Sequence, residues 1–292
     1  MASQSNDIRR AIWLSVLMVT LSSTAIAAAK YVSANVTTAA IVTVQFLICT
    51  LVCVPRIKRP RLRSLRTERL GLHLLRGLAG ALGFYLFYGA VENISLVDAM
   101  MLRQSAPLLV PLVLWSWNRE KISKSAWLPL VIGFSGIAVI LRPTTAELNW
   151  WHVAGLLSAL GLAISMVATR KLASTEPTAR ILFYYCLFSL VCMAPLSVGD
   201  FDGLTALDWI AMLYIGIAVS VALELYTRAY GMAPTATIAP INYFSVVLAG
   251  IWGWLIWNQI PDRLSILGSI LVAAGGIMTL YFAQRDHTTA KE

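Results

Sequence analysis

With 58% hydrophobic and only 13% charged residues among 292, and a mean hydropathy of +0.73, the chain is too apolar for a soluble domain, which carries about 25% charged residues. Its formal charge of +9 sits on basic residues in short loops between apolar runs, so membrane topology accounts for it and no nucleic-acid partner is implied. Cys49, Cys53, Cys186 and Cys192 all fall inside apolar runs without CxxC or His-rich spacing; they read as small core hydrophobes and imply no disulfide, metal or cofactor.

Ten apolar spans follow in order. The first, Ala11–Ala29, comes after Arg9 and Arg10 and imitates a secretory signal, including the small-residue site Ala25-Ile26-Ala27. It is expected to be retained, because its removal would leave an odd number of helices and spoil the charge alternation. The second, Thr37–Val54, leads into a basic run from Arg56 to Arg69, read as a solvated cytoplasmic loop that meets anionic headgroups. The third, His73–Val91, carries Gly77, Gly80 and Gly83 at every third position, a signature of close helix packing. The remaining spans are Leu96–Trp117, Ala126–Leu141, Trp151–Arg170, Ile181–Val198, Trp209–Tyr226, Pro234–Trp257 and Ser265–Phe282. A helix needs roughly 20 apolar residues to cross about 30 Å of hydrocarbon. The connections are short, so the spans form one membrane domain.

Charge orients the spans. Eighteen Lys and Arg, including Arg119, Lys121, Lys124, Arg170, Lys171, Arg180 and Arg228, fall on one side together with both tails. Lys30, Arg142 and Arg263 fall on the other, where Glu92, Glu147, Asp200, Asp202, Asp208 and Asp262 gather. Both termini are therefore expected to be cytoplasmic.

A weak internal repeat is visible. Ala106-Pro107 in the fourth span recurs as Ala239-Pro240 in the ninth, each followed by a Trp pair, Trp115/Trp117 and Trp252/Trp254. Gly133/Gly136 in the fifth span are matched by Gly268/Gly275/Gly276 in the tenth. Five spans per half is an odd number, so the halves, 11–141 and 150–283, are expected to be inverted. The expected fold is all-α integral membrane, with ten transmembrane helices in two inverted five-helix repeats.

Several short pieces carry a resemblance. Leu74-Leu75-Arg76-Gly77, Tyr88 with Ala90, Asp98-Ala99, Ser105-Ala106-Pro107-Leu108 and Asn118-Arg119-Glu120 stand in the first half. Arg228-Ala229, Ala233-Pro234, Ala239-Pro240 through Tyr243, Ile260-Pro261-Asp262, Gly268 and 273–276 stand in the second. In order and spacing, over nearly the whole chain, they resemble the drug/metabolite transporter superfamily, specifically the two-repeat EamA-type carriers. The resemblance implies a ten-helix carrier of small metabolites in a bacterial inner membrane, with helices three, four, eight and nine lining the pathway. Relatives are associated with amino acids, S-adenosylmethionine, riboflavin, metallophores and toxic cations. The chain departs from the pattern at Gln45, where many relatives have Arg, and at Asn258-Gln259, which replaces a Gly-Glu pair.

Candidate functional residues are polar or helix-breaking groups within the spans. Pro107 and Pro240 lack an N–H for the carbonyls of Arg103 and Ala236, so each is expected to kink its helix, either as a hinge or as a tolerated membrane kink. Arg103 lies about 7.5 Å of helix rise inside Asp98, at a depth where a cation costs about 2.5–3.5 kcal/mol. With Gln104 beside it, Arg103 either recognises an anionic substrate group or pairs with Asp98 or a helix-end carbonyl. Glu224 either forms an interfacial pair with Arg228 or points inward, where desolvation suits it to proton coupling or to a cationic substrate. Asn242, Tyr243, Tyr85 and Tyr88 have polar tips that need partners in hydrocarbon, and convergence on a cavity would supply them. Tyr281 and the Trp150/Trp151 pair read as interfacial anchors.

The expected function is secondary transport of a small amphipathic metabolite, amino-acid-like or zwitterionic, by alternating access around a midplane site. The partners implied are a small-molecule substrate and the lipid bilayer. Neither HExxH nor GxSxG occurs, and His73, His152 and His287 lie at edges or tails, so an intramembrane enzyme is not expected. A noncatalytic scaffold is the other alternative, and it predicts no central polar cavity.

Overall fold

A computed structural model describes residues 2–56, 65–119, 124–141, 149–232 and 235–289. Residues 57–64 of the basic run, together with Glu120, Lys121, Arg142, Glu147, Ala233, Pro234 and Lys291, lie outside the described residues.

The described residues form helices and no strand. In chain order these are α1 (Ala2–Val32), α2 (Thr38–Cys53), α3 (Leu70–Asn93), α4 (Leu96–Gln104), α5 (Ala106–Asn118), α6 (Lys124–Leu141), α7 (Trp150–Ala173), α8 (Thr178–Met193), α9 (Ala206–Met232), α10 (Thr235–Trp257) and α11 (Arg263–Thr289). Among the described residues seven segments are long and apolar enough to cross a membrane, and Thr38–Cys53, Trp127–Leu141 and Arg263–Thr279 are three shorter apolar helices. Leu96–Trp117 is one such segment, although it comprises α4 and α5, so all ten expected spans are present as helices.

Local chemistry sets the helix starts. The Thr37 hydroxyl accepts from the Ala40 amide at 3.2 Å, and the Ser95 hydroxyl accepts from the Asp98 amide at 3.0 Å, which satisfies donors that the first turns of α2 and α4 leave open. Asn149 and His152 form a capping box at the start of α7.

The two prolines behave differently. The fourth span breaks at Ser105, whose amide donates to the Met101 and Leu102 carbonyls at 3.1 and 3.2 Å. Pro107 falls in the first turn of α5, where a missing N–H costs little. Pro240 instead lies inside α10, which runs on from Thr235 to Trp257. A single bent fourth helix was expected, and two helices replace it, the first ending at Ser105 and the second taking Pro107 into its first turn.

The main packing joins the part of the chain before residue 142 to the part after 149. α1 packs on α9 and α10, α2 on α8 and α9, α3 on α7 and α8, α4 on α7 and α10, and α6 on α11. Small residues allow the closest approaches. A methyl at Gly136 would lie 2.7 Å from the Val272 amide nitrogen and 2.8 Å from the Gly268 carbonyl oxygen, so α6 and α11 meet backbone to backbone. The expected glycine face of α3 is used in the same way: Gly77 meets Phe188, Gly80 meets Tyr185 and Gly83 meets α7. Phe46, Phe87, Met101, Leu102 and Met212 are fully buried. Leu51, Leu82, Ile210, Val247 and Ile270 are exposed on the outside of the bundle, where hydrocarbon suits them.

Candidate functional site

At one end of the bundle, contacts join loops that are far apart in the chain. The Thr37 hydroxyl donates to Asp200 at 2.5 Å, and Thr38 donates to Glu92 at 3.3 Å. Lys30 donates to the carbonyls of Val91 and Ile94, its bond to Ile94 being 2.9 Å long. At the opposite end Thr67 donates to Glu176 at 2.6 Å, Arg69 to the Lys171 carbonyl at 3.2 Å and Tyr184 to the Leu65 carbonyl at 2.8 Å. Arg180 pairs with Glu176 at 2.6 Å, and the buried His73 imidazole is 3.9 Å away. Burial acts to raise the Glu176 pKa, but hydrogen bonds from Thr67 and Arg180 and the charges of Arg180 and His73 outweigh it, so the carboxyl sits below its ordinary value. Thr37 with Asp200 at one end, and Thr67, Arg69 and Tyr184 with their partners at the other, thus bridge the two halves of the chain.

Between these two ends lies a polar and aromatic cluster on α2, α3, α4 and α8. Gln45, at the middle of α2, is 0% exposed and its Oε1 accepts from the Tyr88 hydroxyl at 2.5 Å. Arg103 donates from Nη1 to the Gly83 carbonyl at 3.0 Å, and its guanidinium lies 4.4 and 4.5 Å from the ring centroids of Phe84 and Phe87. Because Gly83 is near the midpoint of the 24-residue α3, Arg103 is held deep in the bundle. It does not pair with Asp98, whose Oδ2 instead accepts from Ser95 at 2.7 Å. Arg76 lies over the Tyr185 ring at 4.1 Å and donates to Thr169 at 2.5 Å and to the Ile181 carbonyl at 3.0 Å. Phe46 links the two parts, with ring centroids 5.6 Å from both Phe84 and Tyr185.

A second polar contact joins α4 to α10. Gln104 donates to the Asn242 carbonyl at 2.9 Å, and the Tyr243 hydroxyl donates to the Gln104 carbonyl at 3.4 Å. The structure therefore brings Arg103 near Tyr88, and Gln104 together with Asn242 and Tyr243. Among the described residues Glu224 and Tyr85 are placed elsewhere. Glu224 forms an ion pair with Arg228 on α9, its side chain 29% exposed, and Tyr85 is 36% exposed. Pro107 follows the break beside Gln104, whereas Pro240 stands two residues before Asn242 in α10.

Gln45, Arg76 and Tyr185 were not singled out from sequence as binding residues. Gln45 had a detectable signal, being the one amide inside an otherwise apolar or hydroxyl-bearing run, TAAIVTVQFLICTLVC. Tyr185 had none, since aromatic residues in apolar helices ordinarily mean packing.

Cavities of about 10 Å³, beside Cys49, Cys186 and Ser220, and of about 20 Å³, beside Ser95, Gln259 and Pro261, lie at helix interfaces. Each has room for one water at most. Among the described residues no group of three His, Cys, Asp or Glu is arranged to hold a metal. The central cluster offers N–H and O–H donors and aromatic faces, an arrangement suited to reversible binding.

The EamA-like transporter family model matches twice, over residues 9–142 and 149–281. The pseudopaline exporter CntI of Pseudomonas aeruginosa is 30% identical over 216 residues, 73% of this chain and 76% of that one. The S-adenosylmethionine uptake transporter of Rickettsia bellii is 22% identical, covering 86% of this chain and 87% of its own length. The riboflavin transporter of Vibrio cholerae is 25% identical over 83% of each. A crystal structure with 19% identity superposes with a TM-score of 0.62, covering 94% of this chain and 98% of the other, a likeness of fold alone. With both halves matched by one family model and all its expected spans present as helices, the chain belongs to the EamA-like transporter family of the drug/metabolite transporter superfamily.

Proposed function

We propose that the protein is a secondary transporter that exports a small amphipathic metabolite, amino-acid-like or zwitterionic, across a bacterial inner membrane by alternating access. Residues 11–141 and 150–283 act as two inverted five-helix repeats with both termini in the cytoplasm. They rock about the central cluster, and Pro107 and Pro240 serve as hinges. The observation that carries the reading is the deep polar cluster around Arg103, flanked by loop contacts that bridge the halves at each end. Arg103, Gln104, Asn242, Tyr243 and Tyr88 bind substrate there. Tyr85 and Glu224 join them only on rearrangement, and Glu224 then takes the cationic group or a coupling proton. Family membership and the transporter names of relatives support transport over catalysis.

A second reading, favoured by those same names, is a larger substrate such as S-adenosylmethionine, riboflavin or a metallophore. Untargeted metabolite profiling of cells with and without the protein tests both readings. A solute redistributed across the membrane, followed by its flux in proteoliposomes with and without a proton gradient, supports transport; no redistribution and no flux refutes it.

A further inference from the structure

We propose that Gln45, Tyr88 and Arg103 form an oxyanion-recognition site, so that the transported molecule carries a carboxylate or phosphate group, with Gln45 setting the specificity. The inference deepens the transport reading above and rests on it for the word transported.

The site is rich in donors and, among the described residues, lacks an acid. Tyr88 has no polar partner among the described residues besides Gln45, so its hydroxyl proton goes to Oε1 and fixes the amide. Gln45 Nε2 then faces away from Tyr88, fully buried and with no acceptor. Buried amide donors are almost always bonded, so an open one at the centre of a transporter points to an acceptor supplied by a ligand. Arg103 has five N–H donors and uses one group on the Gly83 carbonyl. Phe84 and Phe87 hold the guanidinium by its faces and leave the remaining edge donors without a protein acceptor among the described residues. A guanidinium stays charged even when buried, and a charge at this depth calls for a counter-charge. No carboxylate among the described residues lies in salt-bridge range of Arg103. Arg76, a buried guanidinium on α3, adds positive charge over the Tyr185 ring. An oxyanion would accept from Gln45 Nε2 and from the Arg103 edge together, meeting both requirements at once.

The test uses the full-length protein purified in detergent, melted by tryptophan fluorescence with glutarate, glutaramide or inorganic phosphate at matched ionic strength. Glutarate, phosphate or both raise the midpoint by a few degrees and glutaramide does not; which of the two acts assigns the oxyanion. Gln45→Glu keeps the acceptor for Tyr88 and its size but supplies a carboxylate that competes for Arg103, so it loses the response. Arg103→Lys, which keeps the charge, weakens the apparent affinity about tenfold, and Tyr281→Phe leaves the response intact. Equal shifts with glutarate and glutaramide, no shift with any probe, or a full response in Gln45→Glu and Arg103→Lys overturns the assignment. Should metabolite profiling find no solute redistributed, the transport reading falls while the melting result still judges the site. Should the redistributed solutes be neutral or cationic, transport stands and this inference falls.

Discussion

Gly276 and Tyr243 meet at the contact of α10 with α11, next to the Gln104 carbonyl, and the two positions should be energetically coupled. A methyl group at Gly276 would overlap the Tyr243 hydroxyl oxygen and lie 2.8 Å from its Cζ. Gly276→Ala therefore has to push the phenol aside and break the bond to Gln104. Leaving a buried hydroxyl unpartnered costs about 1–3 kcal/mol, and the displacement adds strain of about 1 kcal/mol. Alanine returns up to about 1 kcal/mol in helix propensity, so the net loss should be about 2 kcal/mol. Tyr243→Phe alone should lose about 0.5–1 kcal/mol, since the 3.4 Å bond is long. With the hydroxyl gone, Gly276→Ala meets only ring carbon, and propensity offsets most of the remaining strain. The expected coupling is about 1.5 kcal/mol, measured as a double-mutant cycle from equilibrium unfolding in mixed micelles. Equal costs of Gly276→Ala in the two backgrounds would refute the proposed contact and the geometry of α4, α10 and α11 with it.

Three other outcomes follow from the packing and the loop contacts. Gly136→Ala should destabilise the protein by about 1–2 kcal/mol, because the methyl meets α11 backbone at 2.7 Å, while Gly71→Ala, with nothing within 4 Å, should be neutral or stabilising; equal effects in thermal melts would contradict the close approach. Asp200→Ala removes the bond from Thr37 at one end while leaving the cap of α2 in place, and Thr67→Val removes the bond to Glu176 at the other. A loss of about 1 kcal/mol shifts an open–closed equilibrium about fivefold, and under alternating access maleimide labelling of Cys49 should rise toward a different side in each variant. Glu176→Gln should be less stable than the wild type at neutral pH. Its carboxyl is held below the ordinary 4.5, so its stabilisation is complete above that value and is lost as pH falls through the lower folded value. Acid titration of the melting midpoint should therefore show the two proteins converging below pH 4.5, and a gap that widens in acid would refute the assignment.

Apolar run length by itself determined that the chain is helical and spans a membrane, because an unbroken helix satisfies its own backbone in hydrocarbon and leaves a plain sequence signature. Spaced glycines foretold the close face of α3, since small residues at helical intervals have few other uses in a membrane; the backbone contact of α6 with α11 came only from the tertiary structure. Ordered fragments over both halves pointed to the family. The polar centre was only half legible: Arg103, Gln104, Asn242 and Tyr243 stand out as costly residues within apolar spans, but their partners do not. Arg103 was weighed against Asp98, five positions away, and tertiary packing gave it the Gly83 carbonyl and two Phe rings on a different helix. Gln45 and Tyr88 are 43 positions apart, and Gln104 and Asn242 are 138 apart. Helical periodicity reports which face a residue occupies and carries no record of what that face meets; the fit of the helices against one another decides that.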